Sequence, residues 1–250
     1  MNTMHALPSG VLGYLIGSIS SARIVSRLAA PQVDLSKTEF GLEGSEDKVE
    51  SSLVSATAIS IHAGPRLGFV TVVLDMLKIA LPTLLVRRAY ADVPYYLLTA
   101  AAGMVGHMWP LYHRFKGGRG MSAVYGGMFA IDWIGVFATS VGGVLFGLFI
   151  VRDFLVAYMA GFWLLIPWLW FRTHDVAHLL YAVAVNVILL VGMIPEMKQY
   201  LTLRREGKGG DLSEVMQQTA MGRGMHKIAQ RFGLLKAQPT VDDERAAKDG

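Results

Sequence analysis

The chain has 250 residues, of which 53% are hydrophobic and only 17% charged, with a formal net charge of +4. Soluble domains carry roughly 25% charge, so the balance points away from an ordinary soluble domain and towards a membrane protein, as does a mean hydropathy of +0.42. The absence of cysteine rules out a disulfide frame and a thiol nucleophile, and without a basic stripe interleaved with aromatics no nucleic acid is expected as a partner.

The first apolar segment, about 7–28, has no Lys or Arg before Arg23. It lacks the basic flank of a signal peptide and is expected to stay as a membrane helix. Gly10, Gly13 and Gly17 fall near one face, and the Gly13–Gly17 spacing lets a second helix approach closely. Ser18, Ser20 and Ser21 with Arg23 stand at its far end. Hydroxyls beside an Arg bind phosphate, but serines in membrane helices also bond their own i−4 carbonyls.

Residues 30–67 form a long loop with six acidic and three basic residues. The next apolar run, 68–86, carries Asp75 and Lys78 three apart, hence on one helix face. Charges inside a membrane are costly and normally face the bundle or an aqueous cavity. The two either pair with each other or line a site.

Further helices are expected over about 95–112, 120–132, 134–151, 154–171 and 177–195, which makes seven. The runs near 20 residues suit a ~30 Å hydrocarbon core. The helix at 120–132 is too short to span without tilt or local thinning. Continuous apolar runs rather than alternation exclude a membrane β-barrel. Beyond 196 the chain turns polar. Residues 211–235 read as an amphipathic helix weakened by Gly222 and Gly224, and the last dozen residues as disordered. The expected division is a membrane domain over 1–200 and a polar cytoplasmic tail over 201–250.

Lys and Arg divide unevenly between the loops. With the N-terminus outside, twelve of these residues, from Arg27 and Arg66 to Arg205 and Lys208, fall inside. Arg87, Arg88 and Arg172 fall outside. The positive-inside rule then sets the N-terminus out and the C-terminus in.

Between the third and fourth helices lies "GHMWPLYHRFKGGRG", residues 106–120. Gly117, Gly118 and Gly120 permit positive φ and turn backbone N–H groups towards an anion. The helix behind them adds its positive end. Lys116 and Arg119 supply full charges and phosphate-matched donors. The stretch reads as a phosphate cradle or as a plain topogenic basic turn; composition does not choose. His107 is a candidate base or phosphate ligand, or a packed helix-end residue.

Three stretches together resemble a known family. "GYLIGSISSARI" (13–24) resembles "GYLLGSIPFG". "GFVTVVLDMLKIALP" (68–82) resembles "GxxxxxLDxxKGxxP". "GHMWPLYHRFKGGRG" resembles "GHxxPxFxxFKGGKG". These are motifs of the bacterial acyl-phosphate-dependent glycerol-3-phosphate acyltransferases. The resemblance implies an all-α fold of about seven membrane helices in the bacterial inner membrane, with the site at the cytoplasmic face. It implies transfer of an acyl group from an acyl phosphate to the 1-hydroxyl of glycerol 3-phosphate, giving lysophosphatidate and phosphate, with membrane lipids around it and no cofactor or metal. His107, Lys116, Arg119 and Ser51 would be catalytic. Ser18, Arg23, Asp75, Lys78, Gly117, Gly118 and Gly120 would bind substrate.

Two family motifs are altered. Where "GSGNxGATNxxR" belongs, the chain reads "ESSLVSATAISI" (50–61): Ser51, Ala56 and Thr57 correspond, but the two Asn positions are Leu53 and Ala58 and the Arg position is Ile61. Where "HRxN" belongs, it reads "IPEM", with Ile194 and Met197 for His and Asn. The Pro after "GSI" is Ser20. Two other readings follow. One is a catalytically altered paralogue that binds lipid or acyl phosphate or regulates a true acyltransferase. The other, resting on Asp75 and Lys78 alone, is a small transporter.

Overall fold

The computed structural model describes residues 3–32, 38–41, 48–51 and 54–205, with the isolated positions 224, 230 and 231. Apart from those isolated positions, the amphipathic segment and disordered end expected in the tail lie outside the described residues.

The expected first helix is broken in two: α1 spans Thr3–Gly17 and α2 Ser21–Ala29. Ser20 makes the break. Its backbone is extended, and its hydroxyl accepts a hydrogen bond from Arg23 N–H, the geometry of a residue that opens a new helix. The 30–67 segment carries more structure than its composition suggests. Strands β1 (Thr38–Gly41) and β2 (Lys48–Ser51) pair antiparallel, with Thr38 opposite Ser51. Helix α3, Ala56–His62, follows, capped by Ser55 Oγ accepting from Ala58 N–H. The all-α expectation holds apart from this ribbon.

Helix α4, Pro65–Ala89, starts behind Gly64 (φ +96) with Pro at its first turn. Helix α5, Tyr95–Met108, stops short of the expected 112, because Pro110 disfavours helical backbone at Trp109. Then come α6 (Met121–Ile131) and α7 (Trp133–Leu145), the latter continued by a π-helical stretch, Phe146–Val151. The expected helix 154–171 is split into α8 (Phe154–Trp163) and α9 (Leu165–Thr173). The break falls at Leu164, where Pro167 has no N–H to return to Trp163 C=O. Helix α10, Val176–Arg205, outruns its expected end and passes through Pro195.

Among the described residues, three segments are long and apolar enough to cross a membrane: Pro65–Ala89, Trp133–Val151 and Val176–Pro195. Leu81, Leu85, Phe137 and Leu180 stay exposed on these segments, as befits helices solvated by lipid rather than water.

Small residues set the packing. α1 lies against α5 so closely that a Cβ on Gly13 would overlap Thr99 O, one on Gly17 would overlap Gly103 O, and one on Gly106 would overlap Tyr14 O. Gly126 of α6 meets the α4 backbone at Met76, and Gly143 of α7 meets Gly161 of α8. The centre is filled by Ile79, Met104, Met128, Leu165, Leu169 and Val185, all essentially buried.

Basic residues separate to the two ends of the bundle. Arg87 Nη1 donates to Ala130 O (2.6 Å) and Ile131 O (3.0 Å), and Arg172 Nε sits 3.2 Å from Asp132 Oδ2. Asp132 also accepts from Trp168 Nε1 at 2.9 Å. Burial alone would raise its pKa, but these donors outweigh that and hold it below the usual carboxylate range. At the opposite end Arg23, α3 and the glycine-rich turn meet. Arg87 and Arg172 thus share one end, as their loop partition requires.

Candidate functional site

A cleft of about 370 Å³ opens between α3, α4, α5, α6 and α8. Its polar lining includes Ser55, Thr57, Ser60, Asp75, His107, Arg119 and Ser122. Val72, Met76, Tyr125 and Phe162 make much of the rest.

Asp75 is the hub. It is 2% exposed on α4. Lys78 Nζ lies 2.8 Å from its Oδ1, one turn along the same helix, and also donates to Ile19 O at 2.7 Å. His107 Nδ1, at the end of α5, lies 3.4 Å from the same carboxylate oxygen without a well-aligned hydrogen bond. Ser122 Oγ of α6 is 3.5 Å from Oδ2. One carboxylate thus touches two cationic or basic groups and a hydroxyl from three helices. The two sequence alternatives for Asp75 and Lys78 both hold for Asp75, which is paired and lines the cleft. Lys78 is paired too, but it bridges to the α1–α2 junction and is outside the cleft lining.

The turn after α5 is built tightly. Gly118 N–H donates to His107 O at 3.1 Å, and Gly117 O accepts from Val54 N–H at 3.1 Å. A Cβ on Gly117 would overlap His107 O, and one on Gly118 would overlap His107 Nε2. These two glycines are therefore required for close approach, and positive φ is absent from both. That corrects the expectation of a run of glycines aiming N–H groups at an anion: the Gly118 N–H is spent on the turn itself. Gly120 alone has positive φ (+90) and starts α6, which no side chain caps. Gly120, Met121 and Ser122 line the cleft beside Arg119, and an uncapped helix start carries the electrostatics that favour an anion.

The other expected site residues fall elsewhere. Lys116 is exposed and outside the cleft lining. Arg23 donates from Nη2 to Lys116 O at 3.0 Å. Ser18 Oγ donates to Tyr14 O (2.8 Å) and accepts from Leu111 N–H (3.3 Å), so it ties the turn to α1. Ser51 is in β2, and its side chain lies outside the described residues. The sequence reading missed Ser55, Thr57 and Ser60, which bring α3 to the cleft mouth. The signal was there as Ser55 followed by a short helical stretch, but acidic composition masked it.

The altered motifs also have places. Ile61 is 37% exposed on α3 and outside the cleft, and Ala58 is buried. Ile194 and Met197 line a second, apolar cavity of about 460 Å³ between α8 and α10, with Met159 and Trp163.

A sequence profile of the glycerol-3-phosphate acyltransferases matches residues 7–203. Among curated relatives, the chain is 30% identical over 167 residues to the glycerol-3-phosphate acyltransferase of Pseudomonas putida, covering 66% of this chain and 80% of that one. It is 33% identical over 124 residues to the enzyme of that name from Legionella pneumophila strain Corby, covering 50% of this chain. The chain spans about 40% of the length of that relative. A solved integral membrane glycerol 3-phosphate acyltransferase, in its lysophosphatidic acid form, superposes with a TM-score of 0.63 at 22% identity, covering 84% of this chain and 97% of that one. The glycerol 3-phosphate form gives 0.61 at 24%, covering 83% and 95%. Apart from the β1–β2 ribbon, the fold is therefore that of a helical integral membrane protein.

Proposed function

Because the chain belongs to the glycerol-3-phosphate acyltransferase family, we propose that it moves an acyl group from an acyl phosphate to glycerol 3-phosphate, making lysophosphatidate for phospholipid synthesis in the bacterial inner membrane. The observation that carries this reading is the cleft in which Arg119 and the uncapped start of α6 stand beside the Asp75–His107 pair.

In this reading the acyl phosphate places its phosphate against Arg119 and the first N–H groups of α6. Charge grows there as the phosphate leaves, so preorganised donors lower the barrier. The acceptor hydroxyl attacks the acyl carbon, the carbon–oxygen bond to phosphate breaks, and the hydroxyl proton passes to the departing phosphate. No side-chain base is then required. His107 acts as a positioning residue rather than as the base expected from spacing. Its Nδ1 faces Asp75 and its Nε2 packs on Gly118, so the ring locks the turn that presents Arg119. Asp75 stands 3.4 Å from that imidazole nitrogen.

The paralogue reading keeps one specific support. Ile61, Ile194 and Met197 stand where the family motifs carry polar groups, and the latter two line an apolar cavity. The transporter reading loses its basis, since Asp75 and Lys78 satisfy each other. The test is purified protein with palmitoyl phosphate and labelled glycerol 3-phosphate. Lysophosphatidate is the expected product, and Arg119→Ala lowers the rate by about 100-fold or more. No product from the wild-type chain, under conditions where the Pseudomonas putida relative works, overturns the transferase reading in favour of the paralogue.

A further inference from the structure

The glycine-rich turn has two faces. One directs Arg119 into the cleft. The other carries exposed Lys116, whose carbonyl is held by Arg23. Arg23 is also braced by Ser20 Oγ at 3.2 Å, so among the described residues its bonds go to neutral oxygens. Arg27 stands exposed one helical turn further along α2. His113 ends the short helical turn Leu111–His113 in the same stretch as Lys116, its C=O accepting from Lys116 N–H at 3.1 Å. Its pKa is held below 6.5 by burial first, and then by Arg23, Arg27 and Lys78.

The same two segments expose apolar side chains next in sequence to these cations. Leu28 is 82% exposed, Tyr112 55% and Phe115 56%. Arg114 (φ +52) and Phe115 (φ +60) are consecutive left-handed residues that are not glycine, a conformation disfavoured for any side chain with a Cβ. The chain accepts this strain while leaving an aromatic ring outside. Cations beside bare apolar side chains, at the end of a membrane-spanning bundle, match the layering of a lipid leaflet, with phosphates above and acyl chains below. A free phosphate ion would meet the cations but gain nothing from Leu28 or Phe115.

We propose that this outer face of the turn, built on Arg23, Arg27, His113 and Lys116 and flanked in sequence by Leu28 and Phe115, binds the phosphate headgroup of an anionic phospholipid. The site is separate from the transfer cleft and does not depend on the transferase reading. It ties the turn that presents Arg119 to the composition of the surrounding leaflet.

The experiment uses the full chain in nonionic detergent, titrated with dioctanoyl phosphatidylglycerol, dioctanoyl phosphatidylcholine or inorganic phosphate, with tryptophan fluorescence and thermal midpoint as readouts. Saturable binding and stabilisation are expected with phosphatidylglycerol alone. Arg27→Gln, at an exposed position that leaves the fold intact, weakens it about fivefold. Phe115→Ser weakens it too, and Arg119→Ala does not. Unchanged binding in Arg27→Gln, equal binding of phosphatidylcholine, displacement by inorganic phosphate, or loss of binding with Arg119→Ala would each overturn the proposal. Loss of transferase activity with lipid binding intact would count against the transferase reading alone.

Discussion

Asp75 shows how much one buried carboxylate can organise. At 3% side-chain exposure it would be untenable alone, yet Lys78 at 2.8 Å, His107 at 3.4 Å and Ser122 at 3.5 Å surround it. Removing one partner of a buried pair leaves the other charge without compensation, typically costing about 3–5 kcal/mol. Asp75→Ala should therefore lower the thermal midpoint markedly and cut activity, because Lys78 and the His107–Gly118 contact both lose their anchor. Asp75→Asn keeps the shape and one acceptor oxygen, so it should recover much of the stability and little of the rate. Equal stability in Asp75→Ala and wild type, by thermal scan in detergent, would sink this account. Spacing made the Asp75–Lys78 pair legible from sequence, because residues three apart share a face. The approach of His107 was not legible, since it depends on how α4 and α5 cross.

At the scale of elements, apolar runs made most helices legible, and single residues decided their ends. Ser20 split the first run, Pro110 shortened α5 and Pro167 divided the 154–171 run. Hydropathy averages over such residues, so the run was visible and the break was not. The β1–β2 ribbon and α3 were hidden for a different reason: their composition is that of a loop, and their pairing is a matter of tertiary fit. Helix packing was legible in the Gly13–Gly17 spacing, which the structure uses for contact between α1 and α5. Gly17→Ala is the sharp test, because the methyl would meet a backbone carbonyl and no side chain can swing aside. Overpacking of this kind costs roughly 1–3 kcal/mol, and the rigid neighbour puts Gly17 towards the upper end. Gly10, where the nearest atoms are the flexible end of Leu98 at 3.7 Å, should accept the same change with little loss. Equal thermal midpoints for the two variants would show that close α1–α5 contact is not what Gly17 provides.

For the whole molecule the open quantity is orientation, and the charge pattern and the architecture bear on it together. Arg87 and Arg172 meet Ala130, Ile131 and Asp132 at one end, while Arg23, Lys116 and Arg119 cluster at the other. An odd number of crossings would separate Met1 from the tail, and the more basic end should face the cytoplasm. On that rule the cleft, the turn and its cationic outer face are expected on the cytoplasmic side, where soluble phosphate esters are made. The chain has no cysteine, so single substitutions report cleanly. Arg88→Cys, on the sparsely basic end, should react with a membrane-impermeant maleimide added to intact spheroplasts. Arg27→Cys should react only after the membrane is opened. The reverse pattern would put the cleft on the outer face, away from any cytoplasmic supply of glycerol 3-phosphate. The proposed reaction would then fail on access even with every residue of the cleft in place.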